Sequence, residues 1–179
     1  MKLSNAIKLF ALLSWSGLIM ADIYEQDFEL STAPGWEPQA KGSWKVLGNQ
    51  DNHYYQAKAK RGSIADEAYV STYSGAEYQD LDYRVLVKSN NTYPSFALIR
   101  ASADFYRNRN IGTGTGYAFG IRADCLVGEF GKEFRIFKQV NGSLIDIATW
   151  TPSDKLQCAN KGNRMRITAV GSTLNFLSK

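Results

Sequence analysis

Two-residue alternation of apolar and polar side chains recurs along most of the chain. In DLDYRVLVKS, Leu81, Tyr83, Val85 and Val87 fall on one side, while Asp82, Arg84 and Lys88 are among those on the other, which predicts a strand with one core face. SFALIRAS and YAFGIRA read as two further short strands, separated by the glycine-bearing connection DFYRNRNIGTGTG. EFRIFKQVNGSLIDIATW predicts a hairpin turning at Asn141 and Gly142, residues that tolerate positive φ, and RMRITAVGSTLNFL repeats the plan around Gly171 and Ser172. Upstream, IYEQDF reads as an opening strand and GSWKVLGNQDNHYYQAKA as a hairpin rich in aromatic and turn residues. No comparable helical periodicity appears after the first 21 residues. Many short strands at this spacing predict an all-β fold, an antiparallel β-sandwich or jelly roll.

The N-terminus follows a different rule. MKLSNAIKLFALLSWSGLIMA carries two lysines, then an uncharged and largely apolar run, then Ala21 before DIYEQD, which reads as a secretory signal peptide over 1–21. Ser14, Ser16 and Gly17 interrupt the run, and it is short for a membrane span; an uncleaved anchor is the competing reading. The expected mature protein is one domain over 22–179, secreted and extracellular, or periplasmic in a Gram-negative host, with no transmembrane span after cleavage. The net charge of +4 falls to +2 once Lys2 and Lys8 leave, which gives no electrostatic footprint for nucleic acid. FYRNRN is a local exception. There Arg107 and Arg109 flank Asn108 beside Tyr106, a loop expected to be exposed and able to meet a phosphate or an anionic glycan.

Cys125 and Cys158 are the only cysteines, and in an oxidising compartment a disulfide between them is the expectation. Neither belongs to a CxxC pair, so no redox motif is present. The lone histidine, His53 in HYYQA, is expected to be buried or packed on aromatic rings, because nothing in its local sequence signals a Ser/His/Asp arrangement. GTGTG at 112–116 lacks the lysine and helix of a phosphate loop and reads as a flexible turn. The sequons Asn90-Asn91-Thr92 and Asn141-Gly142-Ser143 fall at expected turns.

The ordered segments DFELSTAPGWEP, GSWKV, HYYQA, STYSGAEYQDLDYRVLVK, YAFGIRA, FRIFKQVNGSLIDIAT and MRITAVGSTLNF resemble a concanavalin A-like lectin/glucanase domain of the LamG-type jelly-roll group. Asp27 and Phe28 match the opening Asp-Phe, Trp36 and Trp44 the early tryptophans, Ser74, Gly75 and Tyr78 the lead into an inner strand, Tyr117 and Gly120 the Tyr-x-Phe-Gly-Ile strand, and Val170, Gly171 and Ser172 the late hairpin. The resemblance covers nearly all of 22–179 and implies a concanavalin A-like jelly roll. Members usually continue past the equivalent of LNFLSK into a closing strand, so a C-terminally incomplete domain with an open edge is expected, and with it a protein partner at that edge. No cofactor is expected beyond calcium, whose first contributor in the family Asp27 matches; a solvated or turn-capping Asp27 is the competing reading.

The glucanases of this fold carry a strand-borne Glu-x-Asp-x-x-Glu pattern that this chain lacks. Asp80 and Asp82 share a strand face but read as solvent-facing charges, so no catalytic residue is assigned. Sugar binding asks less: aromatic rings to cover a pyranose face, and polar side chains to take its hydroxyls. The candidates are Tyr73, Tyr78, Tyr106, Arg107, Asn108, Arg109, Tyr117 and Trp150. The function expected is non-catalytic recognition of a glycan or cell-surface polysaccharide, ahead of a structural or protein-binding module and, third, a glycoside hydrolase.

Overall fold

The computed structural model describes residues 25–39, 44–49, 52–57, 70–75, 78, 80–88, 94–107, 110–123, 131–158 and 161–178. The expected signal peptide, Asn108, Arg109, Cys125 and the sequon at Asn90 lie outside them. Strands account for the regular structure: β1 (Trp36–Pro38), β2 (Trp44–Asn49), β3 (Asn52–Ala57), β4 (Ser71–Tyr73), β5 (Leu81–Val87), β6 (Ser95–Ile99) and β7 (Tyr106–Arg107). The chain continues through β8 (Asn110–Ile111), β9 (Gly116–Ala123), β10 (Lys132–Val140), β11 (Ser143–Pro152), β12 (Asn163–Val170) and β13 (Thr173–Ser178). No helix among the described residues is long and apolar enough to cross a membrane.

The fold is all-β with several antiparallel sheets. A four-stranded sheet runs β11-β10-β9-β6 and a three-stranded sheet β13-β12-β5, with three smaller pairs, β1-β4, β2-β3 and β7-β8. Turn chemistry sets the hairpin registers. Val140 pairs with Ser143 around Asn141 and Gly142, both at positive φ (48° and 81°), as the mirror-image turn of a two-residue hairpin requires. Val170 pairs with Thr173 across Gly171 and Ser172, where only the glycine takes positive φ (53°), as the two-residue turn with glycine first allows. The strand expected over IYEQDF is absent from 25–28. Asp27 Oδ1 accepts the Glu29 amide at 3.0 Å and Phe28 has φ of 65°, so the chain turns there instead of extending.

The alternation in β5 is realised. Leu81, Tyr83, Val85 and Val87 pack on a core of Ala97, Ile99, Phe119, Ile121, Leu156, Met165, Ile167 and Ala169, to which the four-stranded and three-stranded sheets both contribute. The opposite face of the four-stranded sheet is apolar too: Phe96, Leu98, Ala118 and Phe137 meet Val70, Phe105 and Tyr106 in a second cluster. Charge lies outside the first cluster. Asp82 is clasped on the exposed face by Arg166 (2.8 Å) from β12 and by Arg84 (2.6 Å to the second oxygen), and these hydrogen bonds hold its carboxyl well below the usual carboxylate range. A carboxylate so held is a strand-to-strand tie rather than an acid catalyst.

Burial pushes the Tyr83 hydroxyl up to about 12. The unfolded chain ionises this tyrosine at about pH 10, so the native state loses stability as pH rises from there toward the folded value. Tyr83→Phe is expected to flatten that alkaline loss, read as the urea midpoint at successive pH values between neutral and strongly alkaline. An unchanged alkaline slope in the variant would assign the loss to other groups.

Of the expected Cys125–Cys158 bridge only one end lies among the described residues, so no Sγ–Sγ pair is described. Cys158 is half-buried after β11 and is disulfide-bonded, and Cys125, the one other cysteine of the sequence, falls in a segment outside the described residues.

Candidate functional site

Four segments meet beside the seam of the two main sheets. Tyr78 comes from the connection between β4 and β5, Asp80 stands just before β5, Arg100 ends β6, and Gly171 is the turn between β12 and β13. They line an open cleft of about 420 Å³, within the size range of small-ligand sites. Asp80 is the anchor: its Oδ1 accepts the Gly171 N–H at 2.8 Å and faces Arg100 Nη2 at 3.9 Å. A carboxylate thus ties the hairpin of one sheet to the strand end of the other, and its side chain stays 59% exposed. Arg100 leaves β6 with φ of 47°, a left-handed conformation uncommon for a side chain of this size, which turns the chain sharply where the guanidinium meets Asp80.

The aromatic wall is backed from behind. Tyr78, 37% exposed, neighbours Tyr73, whose hydroxyl is held above its ordinary range by desolvation and by that neighbour. Tyr73 in turn packs on Trp36 (ring centroids 5.8 Å), Trp36 on Tyr55 (6.0 Å), and Tyr55 on Trp44 (4.8 Å) and Phe28 (5.4 Å). The early tryptophans therefore brace an aromatic row that ends at the cleft. Gly75 lies directly against the Tyr73 ring, where an added Cβ would clash, so glycine lets the chain pass close to it. Chemically the cleft offers one ring, one carboxylate and one guanidinium with several donors, a set that suits a neutral polyhydroxyl ligand.

The other sequence candidates are dispersed. Tyr106 is buried, 9% exposed, against Phe105 (5.3 Å), which corrects the expectation of exposure at Tyr106. Apolar contact with Phe137 and Ala118 draws Phe105 and Tyr106 onto the sheet, and of the segment from Tyr106 to Arg109, Arg107 alone is described as exposed. Tyr117 is half-buried and packs against the core between the two main sheets, outside the lining of the cleft. Trp150 packs on Phe96 (6.2 Å), and the Arg122 guanidinium sits 4.3 Å above its ring, where a sugar would have to stack. Arg122 is held there by Glu133 at 2.6 Å.

GTGTG is not a loose turn. The buried Gln139 donates from Nε2 to the carbonyl oxygens of Phe105 (3.1 Å), Gly112 (2.9 Å) and Gly114 (3.1 Å). A phosphate cradle needs converging N–H groups; here carbonyls converge on an amide donor. Gly112 and Gly114 approach the backbone of Asp104 and Phe105 too closely for any Cβ. Asp27, the calcium candidate, is exposed and takes the Glu29 amide, and no group of three His, Cys, Asp or Glu side chains among the described residues is arranged to hold a metal.

His53 is not packed as expected. It is held between Glu29 and Ser31, partners 24 and 22 residues away in sequence, and no local signal announces them. Arg100 was likewise invisible as a site residue, since it reads as the polar end of an apolar strand.

Comparison of the chain with protein-family models, with curated proteins and with solved structures yields no match in any of the three.

Proposed function

We propose that this chain is a secreted recognition module of concanavalin A-like jelly-roll build, and that it binds carbohydrate, without catalysis at that site, in the cleft of Tyr78, Asp80 and Arg100. The observation that carries the reading is the cleft itself, in which a partly exposed ring, braced through Tyr73, stands beside a carboxylate and a guanidinium at the seam of two sheets. The core drawn from both main sheets supports a sandwich, and the lysine-then-apolar N-terminus supports secretion. Asp82, clasped by two arginines, supports the exclusion of glycoside hydrolysis by the Asp80 and Asp82 pair.

A protein-binding module is the second reading. Among the described residues β13 stands at one end of its sheet, with Leu177 53% exposed, and can receive a strand from a partner.

The test is a glycan array probed with the purified protein, with Tyr78→Ala and Arg100→Ala beside it. Selective binding is expected, weakened about tenfold by loss of the ring and about 10- to 100-fold by loss of the guanidinium. A folded protein that binds no glycan, or binds one equally well in both variants, contradicts the reading.

A further inference from the structure

Away from the cleft, three side chains form a relay that the recognition reading does not use. Ser31 Oγ lies 2.9 Å from His53 Nε2, and His53 Nδ1 lies 3.1 Å from Glu29 Oε2. The other Glu29 oxygen accepts the His53 backbone N–H at 3.0 Å, so the carboxylate grips both the ring and the chain that carries it. Those bonds hold the Glu29 carboxyl below its ordinary range, keeping it an acceptor at neutral pH. The tautomer follows. An ionised carboxylate can only accept, so Nδ1 carries the hydrogen, and in the neutral imidazole Nε2 then presents its lone pair to the Ser31 hydroxyl.

The backbone is specialised around the same residues. Phe28 and Ser31 both adopt left-handed φ (65° and 58°) although neither is glycine, and the Ser31 amide closes a turn onto Phe28 O at 2.9 Å. This tight turn presents the hydroxyl at the surface, and β3 supplies the imidazole from a different part of the chain. Leu30, between Glu29 and Ser31, is 84% exposed and offers an apolar contact beside the hydroxyl.

We propose that Ser31, His53 and Glu29 form a nucleophile, base and orienting acid for acyl transfer, acting on small uncharged esters. It adds a catalytic centre to a chain read above as a binding module, and neither depends on the other. Ser31 Oγ attacks the acyl carbon as its proton passes to His53 Nε2; the ester C–O bond breaks and the alkoxide leaves with that proton as an alcohol. Water then attacks the acyl-serine, gives a proton to His53, and releases the carboxylic acid as Ser31 recovers its hydrogen. The Ser31 amide is already committed to Phe28 O, so it is not available to the oxyanion, and turnover is expected to be slow. Covalent capture is therefore the better readout.

The experiment treats the purified protein with a fluorophosphonate and locates the adduct by peptide mass spectrometry. A single adduct on Ser31 is expected, absent in Ser31→Ala, with a labelling rate about 10²-fold or more lower in His53→Ala and also lowered in Glu29→Gln, which keeps the shape of the acid. Circular dichroism confirms which variants are folded; if His53→Ala is not, the Glu29→Gln rate decides. No adduct, adducts spread over several serines, or a Ser31 rate indifferent to the folded variants would overturn the proposal. Glycan binding is measured on Ser31→Ala as well, and its retention is expected whatever the labelling shows.

Discussion

Replacing Ile167 with alanine is expected to lower the free energy of unfolding by about 2–5 kcal/mol, a large share of the roughly 5–15 kcal/mol typical of a domain. Ile167 has no exposed surface. It sits on β12, the middle strand of its sheet, paired with Tyr83 on one side and Phe176 on the other, and it packs in the core that both main sheets share. Two flanking ladders fix the backbone, so the vacated volume cannot easily close, and the cavity adds to the lost transfer free energy. Val170, on the same strand but 64% exposed, is the control: its replacement by alanine is expected to change stability by about 0.5 kcal/mol or less. Urea unfolding of both variants checks the pair. Equal, small losses would mean that the sheets do not bury this position between them.

Gln139→Leu is expected to cost about 2 kcal/mol and to loosen the connection from Ser102 to Gly114 without unfolding the sheets. Its amide holds three backbone carbonyls, but an NH₂ group has only two hydrogens, so the loss is less than three full hydrogen bonds. A second consideration lowers it further. Gln139 Oε1 is itself buried without a partner, and leucine removes that cost while restoring similar bulk. What leucine cannot replace is the partner of the carbonyls, above all that of Gly112. The amides of Gly112 and Gly114 donate to Phe105 O and Asp104 O, so hydrogen exchange at these two positions reports directly on the loop. Protection is expected to fall there and to persist in β9 and β10; unchanged protection would show that Gln139 does not hold the loop.

Much of the scaffold is legible in the sequence because its causes are local. The alternation of Leu81, Tyr83, Val85 and Val87 requires only that one face of a strand be buried, and Asn141-Gly142 specifies its turn through backbone freedom alone. The loops fail this test. Tyr106 reads as exposed because it sits among arginines and asparagines, yet its burial is decided by Phe105 and Phe137 and by a glutamine more than thirty residues further on. Trp150 was visible as a ring, but not the arginine that covers it. The cleft was half visible: Tyr78 is an obvious aromatic candidate, Asp80 looks like a surface charge, and Arg100 acquires meaning only when β6 ends opposite Gly171. His53 is the extreme case, because both its partners come from a turn more than twenty residues earlier.

The most direct measurement is a two-dimensional amide NMR titration of the purified protein with whichever oligosaccharide the array selects. Saturable shifts centred on Tyr78, Asp80, Arg100 and Gly171, lost in Arg100→Ala, are the predicted result. Shifts confined to the segment around Arg107 or to Trp150, or no shifts in a folded protein, would contradict carbohydrate recognition at this cleft.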